Sequence, residues 1–99
     1  MTIAAVEVYT TNEPVMAKEI VYKGMLLVSK VMSRKSLVGG EITGLSKLTS
    51  DIREELLWEL REKAVQAGAN AIVGLRMETN FIFGVLDMVV YGTAVYFQR

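Results

Sequence analysis

LSKLTSDIREELLWELREKAVQAGANAIVG, residues 45–74, is the stretch that decides the fold. Its apolar residues recur at spacings of three and four, the period that places side chains on one face of a helix. The residues of this face are Leu45, Leu48, Ile52, Leu56, Leu60 and Ala64, flanked by Leu57 and Ala67. Gly68 stands where a residue in the left-handed conformation ends a helix. We therefore predict one long helix over about residues 45–67.

The sequence on both sides of this helix is typical of strands. Before it, the predicted strands cover Ile3–Tyr9 and Glu19–Met32, with a bulge or bend at Gly24. After it they cover Ala71–Glu78 and Phe81–Phe97, with a turn at Thr79-Asn80 and a break near Gly84. Strands, one helix and more strands predict a single α+β domain over residues 1–99, in which a mixed or antiparallel sheet of four to five strands carries the helix on one face.

The predicted strands are apolar on both faces. In the last strand, Met88, Val90, Ala94 and Tyr96 point one way, and Val89, Tyr91, Val95 and Phe97 point the other. Residues 25–28 and 71–75 show the same property. A sheet that is apolar on both faces has to be covered on both, and one helix covers only one. We therefore expect a second copy of the chain to cover the other face, the alternative being a monomer whose sheet curls around its own core.

Composition agrees with an assembly of identical chains. A domain of 99 residues hides only about 60–65% of its unfolded surface on folding alone, yet 52% of the residues are hydrophobic and the mean hydropathy is +0.32. Eleven basic and eleven acidic residues give zero formal net charge, so no nucleic-acid or membrane partner is expected. The N-terminus lacks the features of a signal peptide, and the expected compartment is the cytoplasm.

Two residues on the polar side of the predicted helix are candidates for a subunit contact. Trp58 and Val65 lie one heptad apart among charged residues. An exposed tryptophan is typical of interfaces. The alternative is that Trp58 packs under the polar connection at residues 33–40.

The residues offer little for catalysis or for soft metals. The chain has no histidine and no cysteine, so imidazole and thiolate chemistry are excluded. Asp87 stands alone in an apolar strand, and Arg76 on the preceding strand is its candidate cross-strand partner. Tyr91 could join them in a polar site, although a structural pair or a charge that protects a strand edge is the simpler explanation of Asp87. Gly39-Gly40 is interpreted as a turn, and no pattern points to a cofactor.

Several short segments together resemble a known family. They are Val21-Tyr22-Lys23-Gly24, Val38-Gly39-Gly40-Glu41, the GANAIVG segment at residues 68–74, and Gly92-Thr93-Ala94-Val95. In order and spacing they are similar to the YbjQ-like family of small uncharacterised proteins, across nearly the whole chain. The resemblance implies an α+β protomer in a homo-oligomeric ring, with five copies, and it brings the label of a heavy-metal-binding domain. Residues 29–37 look shorter than the family's segment, and the lack of histidine and cysteine conflicts with that label.

These observations leave three functional hypotheses. The first is an oligomeric binding or scaffold protein with no catalytic site. The second is a protein that binds hard ions through carboxylate and carbonyl oxygens at a subunit interface or symmetry axis. The third is an enzyme with an acid–base pair built from Asp87 or Tyr91 with Arg76.

Overall fold

A computed structural model describes residues 2–14, 17–32, 42–82 and 85–98. The chain begins with a 3₁₀ turn at Ile3–Ala5 and a short strand β1, Glu7–Val8, and continues with β2, Glu19–Met32. Helix α1 covers Ile42–Gln66, and strands β3, Ala71–Ile82, and β4, Val85–Gln98, follow. The four strands form one mixed sheet in the order β1-β3-β4-β2. The predicted α+β class is confirmed.

Helix α1 uses the predicted apolar face. Ile52, Leu56, Leu60 and Ala64 are all buried and pack against one face of the sheet. The helix ends in a Schellman motif, because Gly68 has a φ of +79°, its N–H donates to the Val65 carbonyl, and the Ala69 N–H donates to the Ala64 carbonyl. The helix therefore begins three residues before the predicted start and ends one residue before the predicted end.

The central strand of the sheet is β4, which is antiparallel to both β2 and β3. Each of these pairings contains one extra residue. Lys23 is extra between Tyr22 and Gly24, whose φ is +118°, so the bulge predicted at Gly24 is confirmed. The second bulge lies between Val73 and Arg76, where Gly74 has a φ of +63°. Neither bulge interrupts its strand.

Two predicted boundaries are wrong. Ile3–Tyr9 is not one strand, because Ile3–Ala5 forms a 3₁₀ turn and only Glu7–Val8 pairs, in parallel, with β3. Thr79-Asn80 is not a turn, because both residues pair with β4 at Met88 and Asp87. The predicted break near Gly84 lies outside the described residues, between the end of β3 at Ile82 and the start of β4 at Val85. The predicted connection at residues 33–40, with its glycine pair, lies outside the described residues.

The short GANA connection joins the helix to β3 and also holds the end of β4. The side-chain amide of Asn70 donates from Nδ2 to the Phe97 carbonyl at 2.9 Å and accepts the Phe97 N–H at Oδ1 at 3.0 Å. The Asn70 N–H donates to the Val95 carbonyl. The Asn70 side chain thus makes the two hydrogen bonds with the Phe97 backbone that a residue of a neighbouring strand would otherwise make.

The segment after β1 docks against the bulge of β3 through its backbone. The Tyr9 N–H donates to the Ile72 carbonyl, and the Tyr9 carbonyl accepts the Leu75 N–H. The Gly74 N–H donates to the Thr11 carbonyl at 2.7 Å. These bonds occupy the outer edge of β3 only as far as residue 75, so from Arg76 to Ile82 no described residue pairs with that edge.

Candidate functional site

The candidate site is the face of the sheet that points away from α1, which we call the open face. On the helix side, alternate residues of β4 from Leu86 to Ala94 are buried against the helix. On the open face, only one end is covered. There Ala71, Val73, Val95 and Phe97 form a second buried cluster, packed against Tyr9 and Ala17 of the N-terminal segment and Ile20 of β2. Beyond that end the open face has no described cover.

The uncovered apolar side chains concentrate on β2. This strand is at the edge of the sheet, and register with β4 places four large side chains of β2 on the open face. Their exposed fractions are 60% for Tyr22, 77% for Met25, 58% for Leu27 and 64% for Val31. Val21, on the other face of the same strand, is 51% exposed. A long apolar edge strand left in water is a site of association with another strand.

The shape of the protomer adds to its exposed surface. The Cα radius of gyration is 15.4 Å and the molecule measures 49 × 22 × 20 Å, whereas a compact chain of this length has a radius of about 13 Å. Its accessible surface is 6492 Å², against roughly 5,600 Å² for a compact monomer of 11.0 kDa. The fold therefore covers less of itself than a compact monomer does.

The polar candidates Asp87, Arg76 and Tyr91 lie on the open face, but Asp87 and Arg76 do not form the predicted pair. Asp87 is half-buried opposite Val31 on one side and Asn80 on the other. Arg76 lies opposite Tyr91, four residues along β4 from Asp87. The cross-strand pair of Arg76 with Asp87 is therefore wrong.

Arg76 and Tyr91 have other partners. Arg76 donates from Nη1 to the carbonyl oxygens of Thr10 and Leu75, at 3.0 and 2.8 Å, and so fastens the N-terminal segment to β3. The Tyr91 hydroxyl lies 3.4 Å from the Glu78 carboxylate, to which it donates. Within one chain, Asp87, Tyr91 and Arg76 thus do not converge on a common point where an acid–base reaction would occur.

The two candidates on the helix have different environments. Trp58 is 42% exposed, which is consistent with a surface contact. Val65 is half-buried and packs against the core cluster, so its predicted place on the charged outer face is wrong. Near Trp58, Glu55 forms an ion pair with Lys30 of β2 at 3.0 Å, with both side chains well exposed. An exposed pair of this kind contributes about 0–1 kcal/mol to stability.

The donor atoms do not fit a heavy-metal site. Soft ions select thiolate and imidazole ligands, and the whole chain has neither cysteine nor histidine. Among the side chains that the structure describes, no three carboxylates lie together in one protomer.

Two features of the site were not predicted from the sequence. One is the second buried cluster at the end of the open face, whose cover from the N-terminal segment depends on how that segment returns to the sheet. The other is the edge position of β2, which depends on strand order. Hydropathy alone marked both segments as apolar.

The long helix α1 is not apolar enough over its length to cross a membrane.

Comparison with known proteins gives a consistent result. Residues 1–98 match the YbjQ family, which carries the description "Putative heavy-metal-binding". A UPF0145 protein of Shewanella frigidimarina is 38% identical over 100 residues, which cover 89% of this chain and 94% of the relative. A UPF0145 protein of Colwellia psychrerythraea is 35% identical, with 93% and 99% covered. None of these names describes a catalytic activity.

A solved structure shares the fold. It is the crystal structure of a protein of unknown function from Pediococcus pentosaceus, assigned to the DUF74 family, and it superposes with a TM-score of 0.73. The alignment covers 92% of this chain and 96% of that one at 17% sequence identity. At this identity the likeness supports the α+β architecture and nothing finer.

Proposed function

This chain belongs to the YbjQ family, and on that premise we propose that it works as a homo-oligomeric ring, of five copies as the family resemblance implies, that serves as a binding or scaffold module. The observation that carries the proposal is the exposed apolar edge strand β2. The expected partner is the chain itself, and no catalytic site or cofactor is part of the proposal.

Burial of the β2 side chains supplies the driving force for assembly. Removing a leucine or methionine side chain from water contributes about 1.5–3 kcal/mol. Four large side chains, those of Tyr22, Met25, Leu27 and Val31, lie on the open face of β2, each more than half exposed. Together they present several hundred Å², the order of the roughly 800 Å² that each partner loses in a standard interface. In a closed ring, every copy buries this surface once.

The test is the mass of the protein in solution, measured by light scattering after size exclusion and by native mass spectrometry at micromolar concentration. We expect a multiple of 11.0 kDa, with five copies in the ring. Leu27→Glu should shift the protein to monomers, because it places a charge on the buried surface. Ser50→Glu adds the same charge at an exposed position of α1 and should leave the mass unchanged. A stable, monodisperse monomer of the parent protein would contradict the proposal.

A second candidate function is binding of a hard cation by the assembled ring. The observation that favours it is Asp87, a half-buried carboxylate on the open face next to Asn80. Cyclic symmetry would bring one copy of each oxygen ligand from every subunit, and carboxylate and amide oxygens suit Ca²⁺ or Mg²⁺. Such a site would not take the soft ions that the family description suggests.

Elemental analysis of protein purified without chelator tests this candidate. We expect retained Ca²⁺ or Mg²⁺ at a fixed ratio to the ring, and its loss in Asp87→Asn, which keeps the shape of the side chain and removes the charge. Light scattering on the same samples shows whether the ring itself survives. Protein that forms a ring and binds no divalent ion would end the metal hypothesis and leave the assembly intact.

A further inference from the structure

The sheet has two free edges, one on each side. On one side, β2 is the last strand of the order β1-β3-β4-β2. On the other, β1 and the segment after it occupy β3 only up to residue 75, so Arg76–Ile82 forms the second free edge among the described residues. In an antiparallel pair, every second residue of an edge strand turns its N–H and C=O away from the partner. Both edges therefore present backbone donors and acceptors to another strand.

From these two edges we infer that the subunits join by strand addition, with β2 of one copy pairing with the distal half of β3 of the next. This inference rests on the proposed homo-oligomer and specifies its contact. The partner is a second copy of this chain, and the result is a continuous sheet that runs through the ring. Backbone hydrogen bonds across such a junction are the ordinary means of strand addition.

Pairing β2 of one copy with β3 of the next covers more of the exposed surface than pairing β2 with β2. A β2–β2 contact across a two-fold axis would cover β2 but leave the distal half of β3 open in every copy. That half also exposes large apolar side chains on the helix side of the sheet, because Phe81, opposite Leu86, is 53% exposed and Met77, opposite Val90, is 36% exposed. A head-to-tail contact covers β2 and β3 together, and contacts of this type close into rings.

The topology also fixes the strand direction at the junction. Both β2 and β3 are antiparallel to β4, so within one copy they run in the same direction. Rotation between neighbouring copies of a five-membered ring is less than a right angle, so it cannot reverse the direction of a strand. The β2–β3 junction must therefore be parallel, whereas a two-fold β2–β2 junction would be antiparallel.

The register through β4 indicates which residues approach one another. Ser29 and Glu78 both lie opposite Val89, and Val31 and Asn80 both lie opposite Asp87. All of these side chains lie on the open face. Inside one copy, Ser29 and Glu78 are separated by β4, about 10 Å from strand to strand, which is too far for a disulfide. Between copies they lie on adjacent strands, within the range of a disulfide when the stagger is zero.

A chain without cysteine allows a clean cross-linking test. The double variants Ser29→Cys with Glu78→Cys, and Ser29→Cys with Asn80→Cys, sample two registers on the same face. After mild oxidation, at least one should give a ladder of covalent multimers that extends to the full ring on a non-reducing gel. The matched control is Ser29→Cys with Thr79→Cys, since Thr79 points to the helix side and should give no ladder. Ser29→Cys alone should remain uncross-linked.

Other outcomes separate the possible failures. Covalent dimers of Ser29→Cys alone would show a β2–β2 contact and overturn the inference. Protein that light scattering shows to be assembled, but that links at neither Glu78 nor Asn80, would overturn strand addition while leaving the oligomer in place. A parent protein that is monomeric in solution would remove the proposed function and this inference together.

Discussion

Leu60→Ala is expected to lower the free energy of unfolding by about 2–5 kcal/mol, the usual loss when a buried leucine is cut back to alanine. Leu60 has no exposed surface and lies in the middle of the helix stripe that packs on the sheet. The substitution removes apolar contacts and leaves a cavity, while alanine keeps the helix itself favourable. Unfolding in urea, followed by circular dichroism, measures the loss.

The control for this substitution is Leu57→Ala on the same helix. Leu57 is only half-buried at the margin of the core, so its loss should be clearly smaller than that of Leu60. All measurements need the same protein concentration, because the proposed assembly would add a concentration-dependent contribution to stability. Equal losses at the two positions would mean that the helix does not pack on the sheet through the stripe that contains Leu60.

Gly92→Ala is the second large effect, and we expect it to cost about 1–3 kcal/mol through overpacking. A Cβ at Gly92 would lie 2.7 Å from Cγ2 of Ile72 and 3.2 Å from the Val73 carbonyl oxygen. Both belong to β3 where it bulges opposite Gly92, so relief requires β3 to move. The methyl group has no alternative position, because it is fixed to the backbone of the central strand. The midpoint of urea unfolding reports the loss.

Gly68→Ala provides a comparison by a different mechanism. Gly68 has a φ of +79° and open space around its Cβ direction, so alanine there costs only the backbone strain of the left-handed conformation, about 1–2 kcal/mol. The two glycines also differ in their response to Ile72→Ala. Removing the γ and δ carbons of Ile72, including the Cγ2 methyl group, should reduce the cost of Gly92→Ala and leave that of Gly68→Ala unchanged. Additive losses for Ile72 and Gly92 would contradict the steric account.

Much of the fold was predictable where the decisive signal is local. The helix follows from a repeat of three and four that needs only neighbouring residues, and its end follows from Gly68. The bulge at Gly24 follows from a glycine within a strand pattern. Prediction failed at Thr79-Asn80, where polar residues suggest a turn. In the sheet they lie on the exposed outer part of β3, and pairing with β4 is stronger than their local preference.

The candidate site was predictable only in part. The two-faced apolar character of the strands correctly indicated an uncovered sheet surface, and Trp58 is exposed as expected. Val65 was misplaced because it lies at the margin of the helix stripe, where helical spacing alone does not separate core from surface. The pairing of Asp87 with Arg76 failed because the register of β3 against β4 places Asn80 opposite Asp87 and Arg76 opposite Tyr91, and residue types alone do not define that register.

The sequence by itself determined the class of fold, the helix with its cap, and the absence of thiol and imidazole chemistry, since each depends on residue types and short spacings. Only the tertiary structure decided that β2 lies at an edge with its apolar side chains exposed and that Arg76 holds the N-terminal segment. It also decided that Ile72 fills the space that a side chain at Gly92 would need. Strand order and register are contacts between residues far apart in the chain. Many strand orders share the same apolar pattern, and packing selects one of them.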